Sequence, residues 1–536
     1  MRRIEMPYRC PTSALRTMSL GAIGLATAMV RAATIRAATI GAVTIGAVTI
    51  GAVTIGAVTI GFLTIGSGTC SAQSPEQVRR ALHRSVRFFR ERVSSHGGYV
   101  YQCSDDLSKR EGEGKVGVDV AWIQPPGTPA VAMAYLDAYR MCGDSVLLEA
   151  AKETAGALIR GQLQSGGWDN SIAFDPKQRA KYAYRSDLET DEPPAKRRNT
   201  TTLDDDKSQS AARFLMQLDQ ELEFQDEVIH EAVTYALDCF LQAQYTNGAW
   251  PQRYSEFPRA SNDPPEKASF DKDWPREFPG KNYSGFYTLN DNTMSDMIIT
   301  MLDAWEIYGE KRYLDAAIRG GDFFRLAQLP EPQPGWAQQY DQRMRPAWAR
   351  KFEPPAISGG ESQGVMQTLI ELYRRTADSS DDAARFLDPI PPALSYFRRS
   401  LLDDGRLARF YEMETNRPLF FTKEYELTYS PDDLPTHYAF MVSSRLDKIE
   451  AGLQKVRELS KEQLRRPKHV RVSPPSESVV MSIVEGLDRR GAWVERGRLK
   501  YHGDDDPTER VIRSDTFMRN VRLLAAWLRD DRPRSE

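Results

Sequence analysis

The sequence predicts a mostly α-helical protein in which helical hairpins repeat around a shared core. Apolar residues recur with the helical period through most of the chain after residue 75, and alternating patterns typical of strands are scarce. A glycine beside an aromatic residue recurs between the helical stretches at intervals of roughly 70 to 85 residues. Repeated helical hairpins form a toroid or a solenoid, and a closed ring creates a central cleft where long loops gather.

The helical period is clear in seven stretches. The first, VRRALHRSVRFF, places Val78, Leu82, Val86 and Phe89 on one face of a helix. The other stretches are residues 129–160, 208–243, 293–327, 361–376, 390–402 and 514–529.

Each repeated loop is expected to end a helix. Glycine accepts the left-handed conformation that stops a helix, and the neighbouring aromatic ring can lie back across the helix ends. The tryptophans of these loops have two interpretations, as sugar-binding platforms or as packing residues. The four loops are SSHGGYVY (94–101), LQSGGWDN (163–170), QYTNGAWPQ (244–252) and PQPGWAQQ (332–339).

The composition bounds the function. The chain has 536 residues and a formal net charge of -3, so it lacks the surplus of Lys and Arg that a general nucleic-acid binder needs. It has no CxxC pair and no HExxH motif, which gives a zinc enzyme little support. We expect a monomer that meets an anionic partner through a local patch.

Residues 1–72 predict a leader rather than part of the fold. Four arginines precede an apolar segment and a series of RAATI and GAVTI pentads, and CSAQS offers a cleavage site after Ala72. We expect export to the periplasm or the extracellular space. A retained membrane anchor and a start at Met18 are the alternatives. The toroid is expected over residues 73–450, with residues 451–536 as a linker and helix packed on the same domain.

Two acidic motifs precede predicted helices. TTLDDDKSQS contains Asp204, Asp205 and Asp206, and TLNDNTMSDM contains Asp291 between two asparagines. One acidic residue suffices to cap a helix, and three carboxylates in succession repel one another unless a cation neutralises them. Carboxylate and amide oxygens suit Ca²⁺, so the sequence predicts a metal site that competes with capping as an explanation.

Five motifs together resemble the pectate lyases of polysaccharide lyase family 10. They are TLDDDKSQSAARFL, AQYTNGAWPQRY, TLNDNTMSDM, PAWARKFEPPAISGGES and ARFYEMETNRPLF. They occur in the same order as in the family and span most of residues 80–450. The resemblance implies an (α/α) toroid that cleaves polygalacturonate by β-elimination with the help of Ca²⁺.

The resemblance also implies roles for individual residues. Arg350 matches the catalytic arginine, with Arg345 as its nearest competitor, and Asp291 is assigned to catalysis as well. The metal ligands implied are Asp204, Asp205 and Asp291, and the substrate-binding residues implied are Arg409, Lys423, Arg345 and Asn292. Arginine is normally protonated, so a base role needs neighbouring cations such as Ca²⁺, Arg409 and Lys423 to favour its neutral form.

The chain departs from the family pattern in three places. Asp205 stands where an asparagine is common, Lys423 stands where an arginine is usual, and residues 258–285 form an insertion rich in Pro, Asp and Lys. Lysine keeps the charge and loses the two-point geometry of arginine. A polyuronate-binding relative without activity or with altered specificity is therefore the main alternative. A terpene cyclase fits the arginine-rich cleft poorly, and a glycoside hydrolase would need a flanking carboxylate acid and base.

Overall fold

A computed structural model describes residues 74–187, 196–259, 264–280, 282–380, 382–465 and 472–529. The leader predicted for residues 1–72 lies outside these ranges. Within the described residues, no helix is both long and apolar enough to cross a membrane.

The described residues are organised by α-helices, most of which come in sequential pairs joined by short connections. A π-helical turn, Phe89–Val93, continues the first of them. The helices are α1 Pro75–Phe88, α2 Thr128–Cys142, α3 Ser145–Arg160, α4 Pro176–Arg179, α5 Lys207–Glu221, α6 Glu227–Gln242, α7 Thr293–Tyr308, α8 Lys311–Ala327, α9 Glu361–Thr376, α10 Ile390–Arg399, α11 Leu446–Glu458, α12 Lys461–Arg465, α13 Glu477–Glu485 and α14 Ser514–Arg529.

The strands are short, with two to four residues each, and they pair antiparallel. One sheet has the order β16-β17-β1-β2-β3 and another has the order β10-β12-β13-β14, while the other strands form two-stranded pairs. The strands are β1 Gln102–Ser104, β2 Arg110–Glu111, β3 Lys115–Val116, β4 Val120–Trp122, β5 Ser171–Ala173, β6 Thr201–Thr202, β7 Arg253–Tyr254, β8 Tyr287–Thr288, β9 Gln339–Tyr340, β10 Ile357–Ser358, β11 Leu407–Ala408, β12 Phe410–Tyr411, β13 Pro418–Phe421, β14 Leu427–Thr428, β15 Met441–Val442, β16 Glu495–Arg496 and β17 Arg510–Arg513.

The helices pack as successive hairpins. Helices α2, α5, α7 and α9 lie side by side in that order, and each of the first three carries its sequence neighbour, α3, α6 or α8, on its flank. Helix α14 packs against α2, and α11 packs against α9. This arrangement confirms the predicted (α/α) toroid, and the helix bounds agree closely with the predicted helical stretches.

The left-handed glycine predicted for the repeated loops occurs in three of the four, because Gly335 of the last loop does not have a positive φ. None of these glycines is the residue that caps the preceding helix. Gly166 and Gly248 adopt φ values of 101° and 94°, and a Cβ atom on Gly248 would lie 2.1 Å from a main-chain oxygen of α8. Trp168, Trp250 and Trp336 are fully buried, and each indole N–H donates to a main-chain carbonyl of the preceding helix at 2.7–2.8 Å. These tryptophans are therefore packing residues rather than sugar platforms.

The C-terminal part packs against the rest of the described chain. Helix α11 runs across the boundary expected near residue 450. Strand β17 pairs with β1, from the other end of the described chain, with Cys103 opposite Ile512. The last predicted helix is α14, and its residues Phe517, Val521 and Leu524 are fully buried as its period predicts.

Candidate active site

Two short 3₁₀ turns carry the acidic motifs. The first acidic turn, Asp204–Asp206, connects β6 to α5, and the second acidic turn, Asn290–Asn292, connects β8 to α7. The last two residues of each turn have positive φ values between 50° and 59°, a conformation that Asp and Asn tolerate better than most residues. None of these side chains caps the helix that follows. Asp206 instead accepts two hydrogen bonds of 2.6 Å from Arg213.

The two turns bring three carboxylates together. One oxygen each from Asp204, Asp205 and Asp291 lies within 4.8 Å of the others. Gln252 donates to Asp204 at 3.1 Å, and Asn290 donates to Asp291 at 2.8 Å. These are the three residues predicted to bind the metal.

The carboxylates lie in a site that disfavours their charge. Burial raises the pKa of Asp291 well above its usual range, and the nearby charges of Asp205 and Asp204 raise it further. Burial also raises the pKa of Asp204. Converging carboxylate oxygens that repel one another fit a hard divalent cation such as Ca²⁺.

A lysine that the sequence analysis did not select lies beside this cluster. Lys207 is the first residue of α5, and its side chain is only 2% exposed. Its Nζ atom lies 3.0 Å from Asp205 Oδ2 and 3.9 Å from Asp204 Oδ2. The signal in the sequence is its position directly after three aspartates.

Arg350 is held by a buried carboxylate. Its Nε donates to Glu353 Oε2 at 2.8 Å, and its Nη2 donates to Oε1 at 2.5 Å. Burial alone would lower the pKa of Arg350, but the hydrogen bonds and charge of Glu353 outweigh it and raise the pKa. Glu353 thus favours the protonated guanidinium, which is opposite to the effect that a base role requires of the neighbouring cations.

Arg409 contacts the same aromatic ring as Arg350. Its Nη1 donates to Glu361 at 3.2 Å, and its Nε donates to a main-chain carbonyl at 2.7 Å. The ring of Tyr438 contacts both arginines, with ring centroids 4.8 Å from the Arg409 guanidinium carbon and 5.4 Å from that of Arg350. Tyr438 is thus a site residue that the sequence analysis missed.

Gln338 connects the arginines to the second acidic turn. Its side chain donates to Glu353 at 3.0 Å, and its carbonyl accepts the main-chain N–H of Asn290 at 3.0 Å. Asp291 is close enough for its charge to raise the pKa values of Arg350 and Arg409. Catalytic and metal candidates therefore lie within electrostatic range of one another.

Three predicted substrate-binding residues have different surroundings. Lys423 forms an exposed ion pair of 2.6 Å with Asp433, and among the described residues its ammonium contacts neither arginine of the site. Arg345 pairs with Asp271 of the insertion. Asn292 is exposed at the end of the second acidic turn, as a ligand-binding side chain requires.

The insertion is docked against the arginine loop. The indole N–H of Trp348 donates to the carbonyl of Pro275 at 2.8 Å, and Arg276 pairs with the buried Glu412. Tyr283 lies near the end of the insertion and is half-buried. Its hydroxyl has no hydrogen-bond partner among the described residues. Burial and the charge of Glu353 raise the pKa of Tyr283, and the Arg350 charge opposes them, so Tyr283 lies within electrostatic range of the Arg350–Glu353 pair.

Comparisons with known proteins identify the family. Residues 162–437, just over half of the chain, match the pectic acid lyase family. No curated protein matches the chain.

Two of the most similar solved structures are of the family 10 polysaccharide lyase from Cellvibrio cellulosa. The first is 19% identical and covers 57% of this chain and 92% of that chain, with a TM-score of 0.40. The second, an aspartate-to-alanine mutant in complex with trigalacturonic acid, is 18% identical and covers 61% and 98%, with a TM-score of 0.41. The GH76 α-mannanase of Bacteroides thetaiotaomicron is 10% identical and covers 86% and 97%, with a TM-score of 0.39.

The fold and the family match define a polysaccharide lyase built on an (α/α) toroid. The chain belongs to the pectic acid lyase family.

Proposed function

We propose that the protein is an exported lyase that cleaves polygalacturonate by calcium-assisted β-elimination and releases unsaturated oligogalacturonides. The observation that carries the proposal is that Asp204, Asp205 and Asp291 converge within 4.8 Å and that the charge of Asp291 acts on both Arg350 and Arg409. Export rests on the leader pattern of residues 1–72.

The three carboxylates are the proposed calcium ligands. Asp204 and Asp205 come from the first acidic turn and Asp291 comes from the second, so the ion would connect two helical hairpins. When bound, Ca²⁺ withdraws charge from the uronate carboxylate and so acidifies the neighbouring C5 proton.

The arginines bind and deprotonate the substrate in this proposal. No described residue accepts a hydrogen bond from the Nη2 group of Arg409. In this proposal, that group donates a hydrogen bond to a uronate carboxylate. Arg350 takes the C5 proton, the electron pair of the C–H bond forms the C4–C5 double bond, and the C4–O4 bond breaks. The leaving oxygen takes its proton from solvent. Glu353 orients Arg350, and its charge keeps the neutral guanidinium scarce.

A polyuronate-binding protein without activity is the second candidate. The observation that favours it is the Arg350–Glu353 ion pair, since a guanidinium held in its protonated form is a good carboxylate binder and a poor base.

One experiment separates the candidates. The purified protein is incubated with polygalacturonate, with and without added Ca²⁺ and after chelation, and the ultraviolet absorbance of unsaturated product is followed. The lyase gives a calcium-dependent rise that Arg350→Lys abolishes. Polymer binding without any rise establishes the binding protein, and full turnover by Arg350→Lys would refute the role of Arg350 as the base.

A further inference from the structure

Lys207 is an unusual residue to find beside a metal site. Its side chain is 2% exposed, and lysine is almost never fully buried unless it is paired. Its Nζ atom lies 3.0 Å from Asp205 and 3.9 Å from Asp204, both of which are proposed calcium ligands. The ammonium therefore neutralises part of the negative charge that a bound cation would neutralise.

The second acidic turn has fewer carboxylates than the first and is not followed by a lysine. It has a single carboxylate, Asp291, between two asparagines, and the first residue of the following helix is the buried Thr293. The first acidic turn has three carboxylates and is followed by Lys207 at the same position. Extra negative charge and a buried ammonium thus occur together in one turn and are both absent from the other.

Cationic side chains neutralise part of the charge of the cluster. Asp206 is neutralised by Arg213, which leaves Asp204, Asp205 and Asp291 facing the site. With Lys207 beside them, and with Arg253 3.4 Å from Asp204, the formal charge is one negative. Without Lys207, three like charges would crowd within a few ångströms, which destabilises the protein and strengthens its attraction for a cation.

We infer that Lys207 is a positioning residue that sets the affinity of the calcium site. Its ammonium holds the carboxylates of Asp205 and Asp204 in place before the metal arrives, and it weakens calcium binding by repelling the ion. The inference rests on the calcium site of the proposed function.

The test measures calcium binding directly, by titration calorimetry of the full-length protein, together with thermal unfolding in chelator and in Ca²⁺. Lys207→Met keeps most of the side-chain volume and removes the charge. We expect it to bind Ca²⁺ at least about tenfold more tightly than wild type. We also expect it to unfold at a lower temperature in chelator and to gain more from Ca²⁺ than wild type does. Lys152→Met, which removes an exposed lysine of α3, is the matched control and should leave both quantities unchanged.

A second pair of variants covers the case in which Lys207→Met does not fold in chelator. Asp205→Asn removes the nearer anionic partner of the ammonium, and we expect about tenfold weaker calcium binding. Adding Lys207→Met to Asp205→Asn restores the net charge, and we expect the affinity to return to within about threefold of wild type, since an amide oxygen also binds Ca²⁺.

The outcomes distinguish the inference from the proposal beneath it. Equal calcium affinities for wild type and Lys207→Met, or no recovery in the double variant, would overturn the role of Lys207 and leave the calcium site intact. No calcium binding by either wild type or Lys207→Met would refute the site itself.

Discussion

The side chains of Arg350 and Glu353, three residues apart in one loop, form a two-point ion pair with contacts of 2.8 and 2.5 Å. Glu353 is completely buried, and the charge of Arg350 keeps its pKa below the usual value even though burial acts in the opposite direction. Tyr438 and Gln338 also donate to this carboxylate, each at 3.0 Å. The orientation of the proposed base is therefore set by a completely buried acid.

Replacing Glu353 by Gln should slow the reaction and change its pH dependence. The amide still accepts one hydrogen bond but lacks the charge that holds Arg350 in place, so we expect kcat/KM to fall by about ten- to a hundredfold. The loss of the anion also lowers the pKa of Arg350, so the remaining activity should rise at a lower pH than in wild type. Initial rates on polygalacturonate across pH measure both effects.

Glu371→Gln is the matched control for this variant. Glu371 also pairs with an arginine three residues away, at 2.5 Å, but on helix α9. The Glu371→Gln variant should have the same pH profile as wild type. An unchanged profile in Glu353→Gln as well would show that Glu353 supports the loop without acting on Arg350.

The wild-type rate should rise with pH without a plateau near neutrality. The pKa of Arg350 lies above its ordinary value, so the neutral fraction increases tenfold for each pH unit throughout the accessible range. The logarithm of kcat/KM at saturating Ca²⁺ should therefore increase with a slope of about one from about pH 7 to about pH 9. A plateau in this range would identify a base with a lower pKa and contradict the role of Arg350.

The sequence predicted the helices and the acidic turns because both depend on local patterns. The helical period placed α5 and α7, and three successive aspartates indicated more than a cap. Contacts between distant segments were not accessible in this way. Nothing in the spacing indicated that Tyr438 would lie between Arg350 and Arg409.

The charged residues show the same limit. Arg345 looked equivalent to Arg350 in the sequence, but a docked insertion supplies Asp271 as its partner. Lys423 looked equivalent to an arginine of the cleft, but Asp433 pairs with it on the surface. A positive side chain next to aromatic residues can be read from the sequence, whereas the acid that neutralises it depends on the tertiary structure.

Calcium should stabilise the protein more at higher pH. The pKa values of Asp204 and Asp291 are raised by folding, so their contribution to stability is present below the unfolded value of about 3.9 and is lost as the pH rises through the folded values. Calcium binds the deprotonated forms and reverses this loss. The difference in unfolding temperature with and without Ca²⁺ should therefore shrink between about pH 8 and about pH 5.

Asp291→Asn provides the control for the pH effect. It removes the carboxylate with the strongly raised pKa, so the calcium-dependent shift should become smaller and less dependent on pH. A calcium shift of equal size in wild type and Asp291→Asn would exclude Asp291 as a ligand.

Removing the hydroxyl of Tyr283 should weaken substrate binding. The phenol lies within electrostatic range of the Arg350–Glu353 pair, and its hydroxyl has no partner among the described residues, so it can donate to a uronate. A hydrogen bond to a charged group is worth about 1.5–3 kcal/mol, so Tyr283→Phe should raise KM by about tenfold or more with a small effect on kcat. Tyr139→Phe, at another half-buried tyrosine whose hydroxyl has no partner within the described part of the chain, is the control. Steady-state kinetics on oligogalacturonides measure the effect, and equal KM values for the two variants would place Tyr283 outside the substrate contacts.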